Sequence, residues 1–115
     1  MNRKSEDQME SILYAEKRST DAGEILFWHI YPHPNLLINL CGVKADRIVK
    51  VKVRPAAKDE ESRYWGWWDS EKKTFAMIYP SKLQSDICFP GGAEAAEKAG
   101  RGKQVNVKIE EVEND

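Results

Sequence analysis

The residues able to do chemistry fall into three groups, and the first is a pair of histidines. His29 and His33 stand four apart, a spacing that lets two imidazoles share a zinc ion when both lie on one helix face. Here they sit in "HIYPHP", where Pro32 and Pro34 exclude a helix. No cysteine or carboxylate nearby in sequence completes a ligand set, so neither a metal nor a cofactor is expected. Cys41 or Cys88 beside either histidine would make a nucleophile pair, but nothing local supports one. The acids are scattered through charged segments and read as solvated surface. A nucleotide hydrolase needs a base or metal cluster; none is visible, and the chain is not expected to be an enzyme.

The second group is "CFPGGAEAAEKAGRGK". Gly91 and Gly92 open a short helix, and the free backbone N–H groups of such a start suit a phosphate. Gly100 and Gly102 bracket Arg101. An arginine there can take an anion bidentately while the backbone packs closely around it. The plainer reading makes the first pair a turn and Gly100 a helix cap.

The third group is the stretch "SRYWGWWDSEKKTFAMIYPS", with three of the four tryptophans. On a strand, Tyr64, Gly66 and Trp68 face one side and Trp65 and Trp67 the other. Phe75, Met77 and Tyr79 share a face of the partner strand. Gly66 leaves a slot between Tyr64 and Trp68 for a flat ring, and stacking a base on such a ring contributes about 1–3 kcal/mol. One reading is a ligand platform walled by Trp68 and its neighbours. The other is core on one face and a subunit interface on the other.

The elements that must position these groups follow from periodicity. Residues 5–18, "SEDQMESILYAEKR", predict an amphipathic helix, with Ser5 and Gln8 as a capping box and Lys17 and Arg18 in the last turn. "EILFWHIYP" predicts a strand, as do "LLINLCGV" and "RIVKVKVRP", the last with Val49, Val51 and Val53 inward. "RYWGWW" and "TFAMIYP" predict a hairpin, "SDICFP" a short strand, and "GGAEAAEKAG" a short helix. "QVNVKIEEVE" predicts a final strand with Val105, Val107 and Ile109 inward. No internal repeat is expected. The fold class is therefore α+β: an antiparallel β-sheet of six or seven strands with two short helices, in one domain spanning 1–115 whose 111–115 tail frays.

Bulk properties narrow the partners. The chain has 115 residues, 41% apolar and 32% charged, with a net charge of -1. A protein that coats long nucleic acid by charge alone is usually strongly basic, so that class is excluded. A small anionic ligand is not, because two or three arginines suffice. The N-terminus, "MNRKSEDQMESIL", does not read as a signal peptide, and no apolar run approaches the ~20 residues of a membrane span. The expectation is a cytoplasmic protein whose two cysteines are reduced, small and buried.

The size, the leading helix ending in "EKRS", the aromatic hairpin, the "CFPGG" segment and the late "GRGK" together carry a resemblance. The plan is similar, over nearly the whole chain, to the phage-encoded Thoeris anti-defence proteins that act as sponges for cyclic ADP-ribose isomers. The resemblance implies a protein that sequesters the immune signal of a bacterial TIR-domain enzyme without cleaving it, in the host cytoplasm, as a homo-oligomer (dimer or higher). It implies Arg18 and Arg101 on the pyrophosphate, Phe75 on the base, and a further polar residue near Gln84 or Ser85. The competing reading is a protein–protein inhibitor of a host enzyme that docks through the aromatic hairpin face.

Overall fold

The structure, a computed structural model, describes residues 9–88 and 92–112. Six strands form one sheet: β1 (Ser11–Ser19), β2 (Ile25–Tyr31), β3 (Ile48–Pro55), β4 (Tyr64–Asp69), β5 (Thr74–Tyr79) and β6 (Gly102–Glu111). Their order is β2-β1-β3-β6-β4-β5. β1 runs antiparallel to β2, and β4 runs antiparallel to both β5 and β6. Among the described residues there are three short α-helices, α1 (Pro34–Cys41), α2 (Lys82–Cys88) and α3 (Ala93–Lys98), and a 3-10 turn at Ala45–Arg47. The α+β class and the six strands agree with the sequence reading, with one helix more.

Three elements differ from expectation, each for a local reason. Residues 11–18 form strand β1 rather than the end of a helix; residues 5–8 lie outside the described residues. The inward set is Ser11, Leu13 and Ala15, at 7%, 2% and 0% exposure, while Ile12 is 50% exposed. A small residue and a serine facing inward leave no apolar alternation to read. Lys17 and Arg18 do not finish a helix; they pair with Glu111 and Glu16. "LLINLCGV" is helix α1, started by Pro34 in its first turn and ended by Gly42 at φ 69. The Gly42 N–H donates back to the Ile38 carbonyl at 3.2 Å and the Val43 N–H to that of Leu37 at 3.0 Å, around a left-handed cap that glycine adopts without strain. "SDIC" lies in helix α2, whose start is capped by Ser81 Oγ accepting the Gln84 N–H at 3.0 Å. Short apolar runs do not distinguish strand from helix; here the flanking caps decided.

The described residues divide into two compact units. One comprises Val53–Lys108 with residues up to Ser11; the other comprises Ile12–Lys52 with residues from Ile109 onward. Leu13, Ala15, Ile30, Leu37 and Val51 make the core of the second unit. Val53, Tyr64, Trp67, Phe75, Ile78 and Val107 make that of the first.

Internally the two units repeat one plan, which corrects the expectation of no repeat. Phe27, Ile30, Tyr31 and Pro32 recur at one constant offset as Phe75, Ile78, Tyr79 and Pro80. In the β1–β2 hairpin, Tyr14 pairs with Tyr31 and Glu16 with Trp28, so β2 carries one extra residue. In the β4–β5 hairpin, Trp65 pairs with Tyr79 and Trp67 with Ala76, so β5 carries one extra residue at the same place. Each is a β-bulge. Its residue next to the isoleucine that both hairpins share, Ile30 or Ile78, has a left-handed backbone: φ is 53 at His29 and 51 at Met77. Opposite each bulge stands a small buried residue, Ala15 or Gly66. A Cβ at Gly66 would come within 2.9 Å of Ile78 Cγ1, so this slot holds a packed isoleucine and not a ligand ring. Each hairpin then runs through proline into a helix with one buried position among its described side chains, Leu37 in α1 and Ser85 in α2.

Candidate functional site

The β4–β5 hairpin of the first unit borders an open cleft of about 830 Å³. Its turn is built by Asp69, whose Oδ1 accepts the Glu71 and Lys72 N–H groups at 2.9 and 3.0 Å. The turn is latched to the exit of α3: Ser70 Oγ donates to the Gly100 carbonyl at 3.2 Å, and Ser70 N–H donates to the Arg101 carbonyl at 3.4 Å. β6 then starts at Gly102, φ 137, where a Cβ would land on the Trp68 carbonyl oxygen. Only glycine allows that approach. The result sets Arg101 and Lys72 beside Asp69 and Glu71, over a floor of Trp67 and Met77. The Arg101 side chain makes no hydrogen bond or ion pair among the described residues and is exposed.

The expected site residues do not all converge. Arg101 lines the cleft, as expected of an anion-binding group. Phe75 is 2% exposed, a core residue whose N–H donates to Ser11 Oγ at 3.0 Å. No face of its ring is open to a base, which corrects its assignment as the stacking ring. Trp68 meets Phe75 edge-on, centroids 4.9 Å apart and planes at 69°; it packs on the core and does not line the cleft. Gly92 is the N-cap of α3 at φ 90. The helix has six residues and Glu94 in its first turn, so an anion at that start would meet a carboxylate. Gly91 lies outside the described residues. Arg18 belongs to the other unit. Ser85 is 5% exposed and accepts from Gln104 Nε2 at 2.8 Å, so it is occupied inside the unit; Gln84 is half-buried.

The aromatic hairpin is also less bare than its sequence implies. α2 packs against β4 and β5, and Lys82 Nζ lies 5.6 Å from the Trp65 ring centroid. The exposed apolar groups of this unit are instead Leu83 and Ile87 on α2. Cys41 is half-exposed rather than buried; the Cys88 side chain is not among those described.

The second unit holds a cluster that the sequence reading missed. Glu16, read as solvated surface, has a side chain only 9% exposed. Its Oε1 lies 2.9 Å from His29 Nδ1 and 3.1 Å from Arg18. Burial pushes the Glu16 carboxyl up, but the hydrogen bonds from Arg18 and His29 outweigh it and hold the pKa below its usual value. The Arg18 guanidinium lies over Trp28, 5.2 Å from the ring centroid. No signal in sequence marked it: with Ser11, Leu13 and Ala15 inward, strict alternation would turn Glu16 outward, and its burial coincides with the register shift between Tyr14 and Glu16.

No helix among the described residues is long and apolar enough to cross a membrane. No protein-family model matches the chain, and neither a curated protein nor a solved structure does.

Proposed function

We propose that the protein is a non-catalytic nucleotide binder that sequesters a cyclic ADP-ribose-type signal and so blocks bacterial anti-phage defence, acting as a homo-oligomer in the cytoplasm. The observation that carries this reading is the cleft of the first unit. Its volume lies in the range of small-molecule sites. Arg101 and Lys72 supply donors for phosphate oxygens. Asp69 and Glu71 supply acceptors for ribose hydroxyls or an exocyclic amine, and Trp67 with Met77 supplies an apolar floor. A mixed-charge rim over an apolar floor suits a ligand that carries phosphate, sugar and ring together. The finer identity, a cyclic isomer held intact, rests on the resemblance in sequence.

Thermal melting with cyclic ADP-ribose, its glycocyclic isomers and linear ADP-ribose tests the reading. A ligand at a hundred times its Kd stabilises the folded state by about 2.7 kcal/mol, a shift on the order of ten degrees for a domain near this size. The cyclic isomer should be recovered unchanged on heating the complex. Arg101→Ala should weaken binding ten- to hundredfold, the loss of one charged hydrogen bond of about 1.5–3 kcal/mol, with an unaltered Tm for the free protein. Absence of any shift, or accumulation of hydrolysis products, would overturn the proposal.

One observation favours the competing reading of a protein–protein inhibitor: Leu83 and Ile87 on α2 are 70% and 72% exposed. It requires a complex with a host protein that Leu83→Lys abolishes while ligand-induced shifts are absent.

A further inference from the structure

The cleft of the first unit is charged at one end and apolar at the other. Its charged residues, Asp69, Glu71, Lys72 and Arg101, all come from the hairpin turn and the exit of α3 that is latched to it. Its apolar hairpin residues lie further from the turn. Trp67 pairs with Ala76 two positions before the Asp69–Thr74 pair, about 7 Å along the hairpin at the rise of a strand. A ribose bridges a gap of that size between a phosphate and a base. α3 lines the same cleft with Ala96 and Ala99.

Among these apolar groups, Met77 has the surface to give. Trp67 is 5% and Ala96 2% exposed, and Ala76 and Ala99 each offer a single methyl. Met77 is half-buried, with a long side chain. The bulge puts it in the cleft. Strict alternation from Phe75 would turn Met77 inward. Instead Phe75 and Ile78 are buried, and the consecutive Ala76 and Met77 both line the cleft. A bulge re-aims a side chain in this way, and bulges are common beside active sites. The left-handed φ of 51 is uncommon and costly for a residue other than glycine. At His29 the matching bulge is offset by the hydrogen bond to Glu16. The Met77 side chain makes none among the described residues, so what the strained backbone achieves there is presentation of the thioether to the cleft.

We propose that Met77 is the residue on which the cleft holds a flat heteroaromatic ring, with Ala99 on the α3 wall and the oxyanion of the ligand towards the turn. A thioether is polarisable and flexible, and makes favourable contacts with aromatic rings. The cleft thus selects ligands by a ring as well as by charge. This inference deepens the nucleotide-binding reading and rests on it. It departs from the contact that the resemblance implies, because Phe75 is core.

The test is NMR of the full chain, isotopically labelled at its methionine methyls. It is titrated with each form of ADP-ribose used for melting and, separately, with inorganic pyrophosphate. The chain has three methionines. Met77→Leu assigns the Met77 signal by its loss, and Met9, buried at 6% exposure, is an internal control. Expected is a saturable upfield shift of the Met77 methyl, the ring-current effect of an aromatic face, with a nucleotide that also raises Tm. Pyrophosphate should not reproduce it, and Met9 should not move. Met77→Ala should weaken that nucleotide about three- to tenfold, the range of a sulfur–aromatic contact, and leave pyrophosphate affinity unchanged. The titration of the parent stands whether or not that variant folds. A nucleotide that raises Tm without moving the Met77 methyl, a shift that pyrophosphate reproduces, or a folded Met77→Ala protein that binds nucleotide like the parent would each overturn the ring contact and leave the nucleotide reading standing. No Tm rise and no methyl shift with any form would overturn that reading and this inference with it.

Discussion

The β1–β2 and β4–β5 hairpins share a register, a bulge and a following helix, and differ in what the bulge presents. Around Met77 the neighbours are Trp67, Ala76 and Asp69, and the surface opens into a cleft. Around His29 they are Glu16, Trp28 and Arg18, and the surface is closed by hydrogen bonds. The backbone strain is the same in kind, with φ near 50 at both. The compensation differs. The Met77 side chain makes no hydrogen bond among the described residues, so packing and the strand register must hold it. His29 is held by a charge-assisted bond to a buried carboxylate, which is roughly twice as strong as a neutral one. A scaffold of this kind separates backbone from chemistry: the bulge fixes a position and a direction, and the side chains set there decide the use.

The comparison can be broken most severely at Gly102. In the first unit β6 must pass against the Trp68 carbonyl to close the cleft wall. Gly102→Ala combines overpacking with an unfavourable backbone and should cost about 3 kcal/mol in a denaturant titration. A loss below ~1 kcal/mol would show that the strand start can shift and that the latch is loose.

Truncating each bulge residue sharpens the contrast at equal backbone strain. His29→Ala leaves the buried Glu16 with Arg18 as its only side-chain partner and should cost about 2 kcal/mol. Met77→Ala removes a half-buried side chain and should cost about 1 kcal/mol or less. Equal losses, or the reverse order, would mean that hydrogen bonding does not distinguish the two bulges.

The smallest effect concerns acid. In the first unit Arg54 grips Glu60 through two bonds of 2.9 and 2.8 Å, and the Ala57 N–H adds a third at 2.8 Å. The Arg54 hydrogen bond first, then the Ala57 N–H, lowers the Glu60 pKa from 4.5 to about 2. A depressed carboxylate adds stability above its unfolded pKa and loses it as pH falls through the folded one. Glu60 thus stabilises the fold above about pH 4.5, and that contribution disappears towards pH 2. Glu16 shifts the same way in the second unit. Melting curves of Glu60→Gln should lie slightly below the parent near neutrality and meet it near pH 2. Parallel curves at every pH would remove Glu60 from the acid response.

Much of this was legible in the residues. Clean alternation in "RIVKVKVRP" and "QVNVKIEEVE" placed β3 and β6, and turn chemistry in "DSEKK" placed the β4–β5 hairpin. Arg101 between two glycines was recognisable as an exposed cation in a close-packed backbone. Phe75 was misread because a strand pattern says which residues share a face but not which face is covered. β1 was misread because its inward residues are serine, leucine and alanine, so the buried side carries little hydrophobic signal. The repeat was invisible because four shared residues are few, and the equivalence lies in a register shift that no composition records.

The sequence by itself determined the strands of strong period two, the turns, the helix caps and the chemical types available at each position, because these depend on neighbours along the chain. The tertiary structure alone decided that Glu16 is buried, that His29 and Arg18 meet on it, that Phe75 is core and that Arg101 stands over a cleft. Those outcomes depend on strand pairing and on a single extra residue in each hairpin. One such residue turns every side chain beyond it to the other face, and that choice is settled by the packing of the whole unit.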